Sequence, residues 1–125
     1  FAAGADRYAL ARSTAPWTLP SHASLFTGKV PQLHGADARR LASGEVLDAM
    51  SLRAEELTLA EALRESGWAT AAFVANAGYV NPRMGLDQGF EEFMNQRLDA
   101  RSMSERALSW IDKQAPDKPW FVFVN

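Results

Sequence analysis

The residues best suited to chemistry lie close together in "STAPWTLPSHASLFTGKVPQLHG", residues 13–35. Thr18 carries a hydroxyl just ahead of a segment that can start a helix at about Leu19 to Ser21. Proline is tolerated in a first turn, and Gly28 is placed to end the helix as its left-handed closing residue. A hydroxyl at that point faces unpaired N–H groups and the positive end of the helix dipole, where an oxyanion, phosphate or sulfate is favoured. To act as a nucleophile at neutral pH it would still need a metal ion or a general base. The plain alternative is that Thr18 caps the helix and that His22 and His34 are satisfied loop histidines. His34 in particular, followed by Gly35, reads as a residue that stabilises a tight bend.

The elements that must position these groups can be read along the chain. "RYALARS", residues 7–13, could form a short strand, and Pro16 and Pro20 exclude a regular helix through Trp17 to Leu19. Residues 35–54 have no clean period and read as a surface loop. "TLAEALRESG" carries the capping-box pair Thr58 and Glu61 and predicts a helix from Leu59 to Ser66. "WATAAFVAN" reads as a strand buried on both faces, ending at the polar Asn76. Residues 77–100 read as an extended loop anchored by Tyr79, Phe90 and Phe93. Ser102 with Glu105 then predicts the start of a helix running from Met103 to Gln114, and "WFVFVN" is a last apolar strand. Apolar strands joined by helices predict an α/β fold, a mostly parallel sheet with helices on both faces, in which Thr18 and Asn76 lie at carboxyl ends of strands.

Composition narrows the function classes. The chain has 125 residues, the size of one small domain, and 47% hydrophobic with 22% charged residues is ordinary for a globular protein. No stretch approaches the ~20 apolar residues of a membrane span. A net charge of −2 gives no general attraction to nucleic acid, although the first 42 residues are locally +3. The absence of cysteine excludes disulfides, thiolate metal sites and a cysteine nucleophile. Asp37, Asp48, Asp87 and Asp99 lie in loops without a partner at metal-ligand spacing, and Asp87 reads as a turn residue.

"WTLPSHASLFTGKVPQLHG" resembles the nucleophile segment of the sulfatase-like hydrolases of the alkaline phosphatase superfamily: nucleophile, any residue, Pro, Ser, Arg or His, a short helix, Thr-Gly, then Pro and His-Gly. The resemblance aligns Thr18 with the nucleophile, Pro20 and Ser21 with the Pro-Ser pair, and His22 with the usual arginine. "LTLAEALRESGWATAAFVAN", "GLDQGFEEF" and "KPWFVFVN" resemble further family segments. Threonine cannot become formylglycine by the route open to cysteine or serine. The lysine and histidine of the arylsulfatase "GKWH" block are replaced by Ala75 and Ala77, leaving Asn76.

A threonine at this position is similar to the phosphodiesterase, phosphonate hydrolase and phosphoglycerol-transferase branches. The resemblance therefore implies a metal-dependent hydrolase or transferase of sulfate or phosphate esters. Thr18 would be both covalent nucleophile and metal ligand, with His22 and Asn76 touching a small anionic ester. It also implies divalent ions (Ca, Mg, Mn or Zn) in a full-length protein, and a periplasmic or other extracytoplasmic site of action. The family's aspartate pair and later Asp-His group are missing. Residues 1–125 are accordingly expected to be one interior fragment of a catalytic domain, inert alone, holding no metal tightly and prone to associate through exposed sheet edges. Two other readings remain: a non-catalytic sulfatase-like domain kept for packing or binding, and an independent α/β binding module.

Overall fold

A computed structural model describes residues 4–125. Its elements in chain order are α1 (Thr18–Thr27), α2 (Pro31–His34), β1 (Ala38–Arg40), β2 (Val46–Ala49), α3 (Leu59–Glu65), β3 (Ala69–Val74), β4 (Glu92–Asn95), α4 (Ala100–Ile111) and β5 (Trp120–Val124). A 3₁₀ turn at Pro82–Met84 interrupts the β3–β4 connection. Among the described residues no helix is long and apolar enough to cross a membrane.

The chain is α/β. β3 is the centre of a three-stranded sheet of order β4-β3-β5, parallel to both neighbours. Every β3 residue is buried, as the continuous small and apolar run predicts for a strand covered on two sides. One face packs Ala72, Val74, Phe93, Phe121 and Phe123 against Leu19, Ala23 and Phe26 of α1, with Ala60 of α3 and Phe90 joining them. The other packs Ala71, Phe73, Met94 and Val122 against Met103, Ala107 and Trp110 of α4. Helices therefore cover both faces. Phe26 is the hub of the first face, meeting Phe123 edge-on at 5.0 Å and Phe90 at 5.7 Å. Phe90 in turn stacks on Phe121 at 5.9 Å.

Two expected helices form where capping chemistry places them. Gly28 ends α1 in the left-handed region, its N–H bonding Ser24 O. Thr58 and Glu61 complete a reciprocal capping box on α3. Five expectations need correction. α1 begins at Thr18, inside the Trp17–Leu19 stretch that the two prolines were expected to keep out of a helix, because Pro20 lies in the first turn, where no backbone N–H is needed. Residues 7–13 form a turn and coil instead of a strand, leaving Tyr8 and Leu10 about four-fifths exposed with no neighbouring strand to bury them. Residues 35–54 are more than a surface loop. They hold the antiparallel β1–β2 hairpin, in which Arg39 faces Asp48 and Gly44, at φ 87°, closes the loop. Residues 77–100 contain β4, a strand too short and too mixed in polarity to show a period of two, ordered by pairing with β3. α4 starts at Ala100 because Asp99, not Ser102, is its cap. The Asp99 carboxylate accepts the Ser102 N–H, which holds that carboxyl below the usual range. The helix also stops three residues before Gln114.

Buried polar groups lock the connections. Thr70, fully buried in β3, donates to Gly89 O and accepts from Glu91 N–H, clipping the β3–β4 connection to the sheet. Gly89 lies at φ +85°, and a Cβ there would collide with the backbone nitrogen of Glu61 at the start of α3. Only glycine allows this approach. Gly89→Ala is expected to lose more than ~2 kcal/mol, strain and steric conflict acting together. Urea unfolding of the variant against the parent measures this.

Candidate functional site

α1 begins at Thr18. Trp17 is the extended residue before the helix (φ −141°, ψ 166°) and has no side-chain oxygen with which to cap it. Pro20 lacks an N–H, and the first turn contains no carboxylate. The helix thus presents a positive end without a side-chain cap. Thr18 is its first residue rather than its cap, so its hydroxyl is not spent on the helix. That hydroxyl makes no hydrogen bond among the described residues and is not sealed from solvent.

α1 divides lengthwise. Leu19, Ala23 and Phe26 form the buried stripe, while Thr18, Ser21, His22 and Leu25 follow one another along the neighbouring one. Ser21 Oγ and His22 Nδ1 both donate to Thr18 O, at 3.0 and 2.8 Å. A carbonyl can only accept, so the His22 ring proton lies on Nδ1 and Nε2 faces outward. Asn125, immediately after β5, donates to that Nε2 at 3.3 Å. The ring is wedged edge-on between Phe123 (5.8 Å) and Phe26 (6.4 Å).

Backbone bonds place this group at the carboxyl ends of the strands. Asn125 N–H donates to Phe73 O, and Ala75 N–H donates to Asn125 O. Trp17 packs edge-on against Tyr79 at 5.2 Å, bringing the start of α1 beside the loop that leaves β3. Asn76 Oδ1 accepts from Tyr79 N–H at 3.4 Å and so folds that loop. The structure thus gathers Thr18, His22 and Asn125. It puts Asn76 at the neighbouring strand end, holding the loop that carries Tyr79.

Asn125 was overlooked in the sequence, though a signal was present. Each parallel strand ends in asparagine: Asn76 shortly after β3, Asn95 at the end of β4, and Asn125 after β5. Asn95 likewise binds the β3–β4 connection, donating from Nδ2 to Val80 O at 2.5 Å.

His34 is fully buried and belongs to the scaffold. Its Nδ1 accepts Ala36 N–H and its Nε2 donates to Ser24 Oγ at 2.9 Å, joining α2 to α1. Burial lowers its pKa, outweighing the Pro20 carbonyl and the Glu56 and Asp37 charges. Glu56, 6% exposed, bridges Lys29 at 2.6 Å and Arg53 at 2.5 Å, and Arg53 also donates to Leu33 O. These two cations hold the Glu56 carboxyl below its ordinary value. Asp37 accepts from the Trp17 indole at 3.0 Å and steadies the residue before α1. Among the described residues no three His, Asp or Glu side chains gather to hold a metal. The side chains present do not make the metal site that the resemblance implies.

Comparison with family models, with curated proteins and with solved structures found no match for this chain.

His34 makes a prediction about pH. Its folded pKa is depressed, so the unfolded chain binds the extra proton first. Stability is full above the unfolded value near 6.5 and falls as the pH drops, by at most about 1.4 kcal/mol per pH unit for one group. The melting temperature should fall between pH 7 and 5, and His34→Asn should flatten that dependence while lowering stability at pH 7.

Proposed function

We propose that this chain contributes the nucleophile segment of a sulfatase-like hydrolase or transferase acting on phosphate or sulfate esters. The observation that carries the reading is the unengaged Thr18 hydroxyl at an open helix N-terminus, beside the carboxyl ends of parallel strands. In this reading a tetrahedral oxyanion sits against the first turn of α1. Thr18 Oγ1 forms a bond to phosphorus or sulfur as the bond to the ester oxygen breaks, the alcohol leaves with a proton, and water later releases the oxyanion from threonine.

His22 is held by the Thr18 carbonyl on one side and by Asn125 on the other, so its ring is fixed relative to the nucleophile. It stands where the resemblance puts arginine, and with both ring nitrogens engaged it steadies the first turn of α1. Asn76 acts through the loop it folds, or through its amide toward the substrate. Divalent ions, and a group that takes the threonine proton, would complete the site by lowering the pKa of the hydroxyl and holding the transferring oxygens.

The full-length protein with Mn, Zn, Ca or Mg is expected to hydrolyse a nitrophenyl phosphodiester or sulfate ester, and Thr18→Ala to lose at least ~100-fold in kcat. Unchanged turnover in the variant would remove Thr18 from the chemistry. Absence of turnover in the parent with every metal and both esters would favour a non-catalytic domain.

A further inference from the structure

The approach to α1 borders a cavity whose chemistry is unlike that of the Thr18 stripe. About 620 Å³ of space opens between the residues ahead of the helix, the β1–β2 hairpin and the loop that leaves β3, lined chiefly by Pro16, Trp17, Asp48, Ala49, Tyr79 and Met84. That volume lies within the ~300–1,000 Å³ of ordinary ligand pockets. Its walls are set before any ligand arrives. Trp17, Ala49 and Met84 pack against the main core, the Trp17 indole donates to Asp37 at 3.0 Å, and the Met84 carbonyl accepts the Leu52 N–H at 2.9 Å. Tyr79 is carried by a loop that Asn76 and Asn81 fasten, Asn76 Oδ1 accepting the Tyr79 N–H and Asn81 Nδ2 donating to Ala77 O and Gly78 O. The Tyr79 side remains 43% exposed, and its hydroxyl makes no hydrogen bond among the described residues.

The Trp17 and Tyr79 planes stand at 85°, with centroids 5.2 Å apart. Two rings at right angles with a polarizable thioether beside them receive a flat ring well, stacked on one plane and edge-on to the other. The charge of the lining selects further. Asp48 is the one charged residue in it, and Arg39, opposite Asp48 in the hairpin register, forms no ion pair with it. The lining thus holds no cation for an anionic ligand and a carboxylate that disfavours one. We propose that this cavity receives the flat, non-anionic ring of the alcohol portion of an ester, with Trp17 and Tyr79 as the residues that select it. Trp17 is bonded directly to Thr18, so a ring held there lies beside the first turn of α1. That the ring belongs to an ester's alcohol rests on the reading of Thr18 above, whereas the ring site stands on the cavity itself.

The test is a titration of the chain with 2-naphthol, read by NMR at the Trp17 indole N–H and the Met84 methyl group. Saturable shifts at both are expected, with 2-naphthoate, which adds a carboxylate, binding more weakly. Tyr79→Leu, at a half-exposed position outside the core, should weaken 2-naphthol binding about threefold or more, as loss of one aromatic contact does. In the full-length protein with metal, the same variant should raise KM for a naphthyl phosphate or sulfate ester by a similar factor and spare that for the ethyl ester. Binding of 2-naphthol without turnover of any ester would uphold the ring site and count against Thr18 alone. Turnover that Thr18→Ala abolishes, with naphthyl and ethyl esters equally affected by Tyr79→Leu, would overturn the proposal and leave Thr18 in place. Failure of 2-naphthol to saturate, equally tight binding of 2-naphthoate, or undiminished binding in a folded Tyr79→Leu protein would overturn it as well.

Discussion

The packing of α1 on the sheet is the constraint on which the rest depends. Leu19, Ala23 and Phe26 are essentially removed from water against Ala72, Val74 and Phe123, and the aromatic contacts of Phe26 fix the helix in rotation as well as position. Burial of a phenylalanine of this kind is worth about 3–5 kcal/mol on truncation. Once that stripe is committed to the core, the adjoining stripe of Thr18, Ser21, His22 and Leu25 has only one direction left to face. The parallel register of β3 with β5 then decides what it meets, because Asn125 is delivered to His22 by its pairing with Phe73 and Ala75.

Polar groups buried beside this core act as fasteners. His34 with Ser24, Glu56 with Lys29 and Arg53, and Thr58 with Glu61 and Gln88 each join segments that are distant in sequence. Each is well bonded, as burial of a polar side chain requires. The Thr18 hydroxyl, by contrast, makes no hydrogen bond among the described residues.

Much of this was legible in the residues. The buried central strand, the Thr58–Glu61 capping box and the glycine stop at Gly28 are local signals, set by side-chain chemistry within a few positions, and the structure forms them where they were expected. β1, β2 and β4 were not legible, because strands of three or four residues take their order from a partner and not from their own pattern. The start of α4 was misplaced because Ser102 and Glu105 imitate a cap that Asp99 performs three residues earlier. At the site, Thr18 and His22 were visible because they share one helix turn. The contact of His22 with Asn125 spans 103 residues and could come only from the fold.

The most direct test of the central claim is a crystal structure of the full-length protein with vanadate, which takes the geometry of a phosphoryl group under attack. The account expects vanadium bonded to Thr18 Oγ1 at the first turn of α1, with His22 still held between the Thr18 carbonyl and Asn125. Vanadate bound elsewhere, with the Thr18 hydroxyl turned into a side-chain contact of its own, would contradict it.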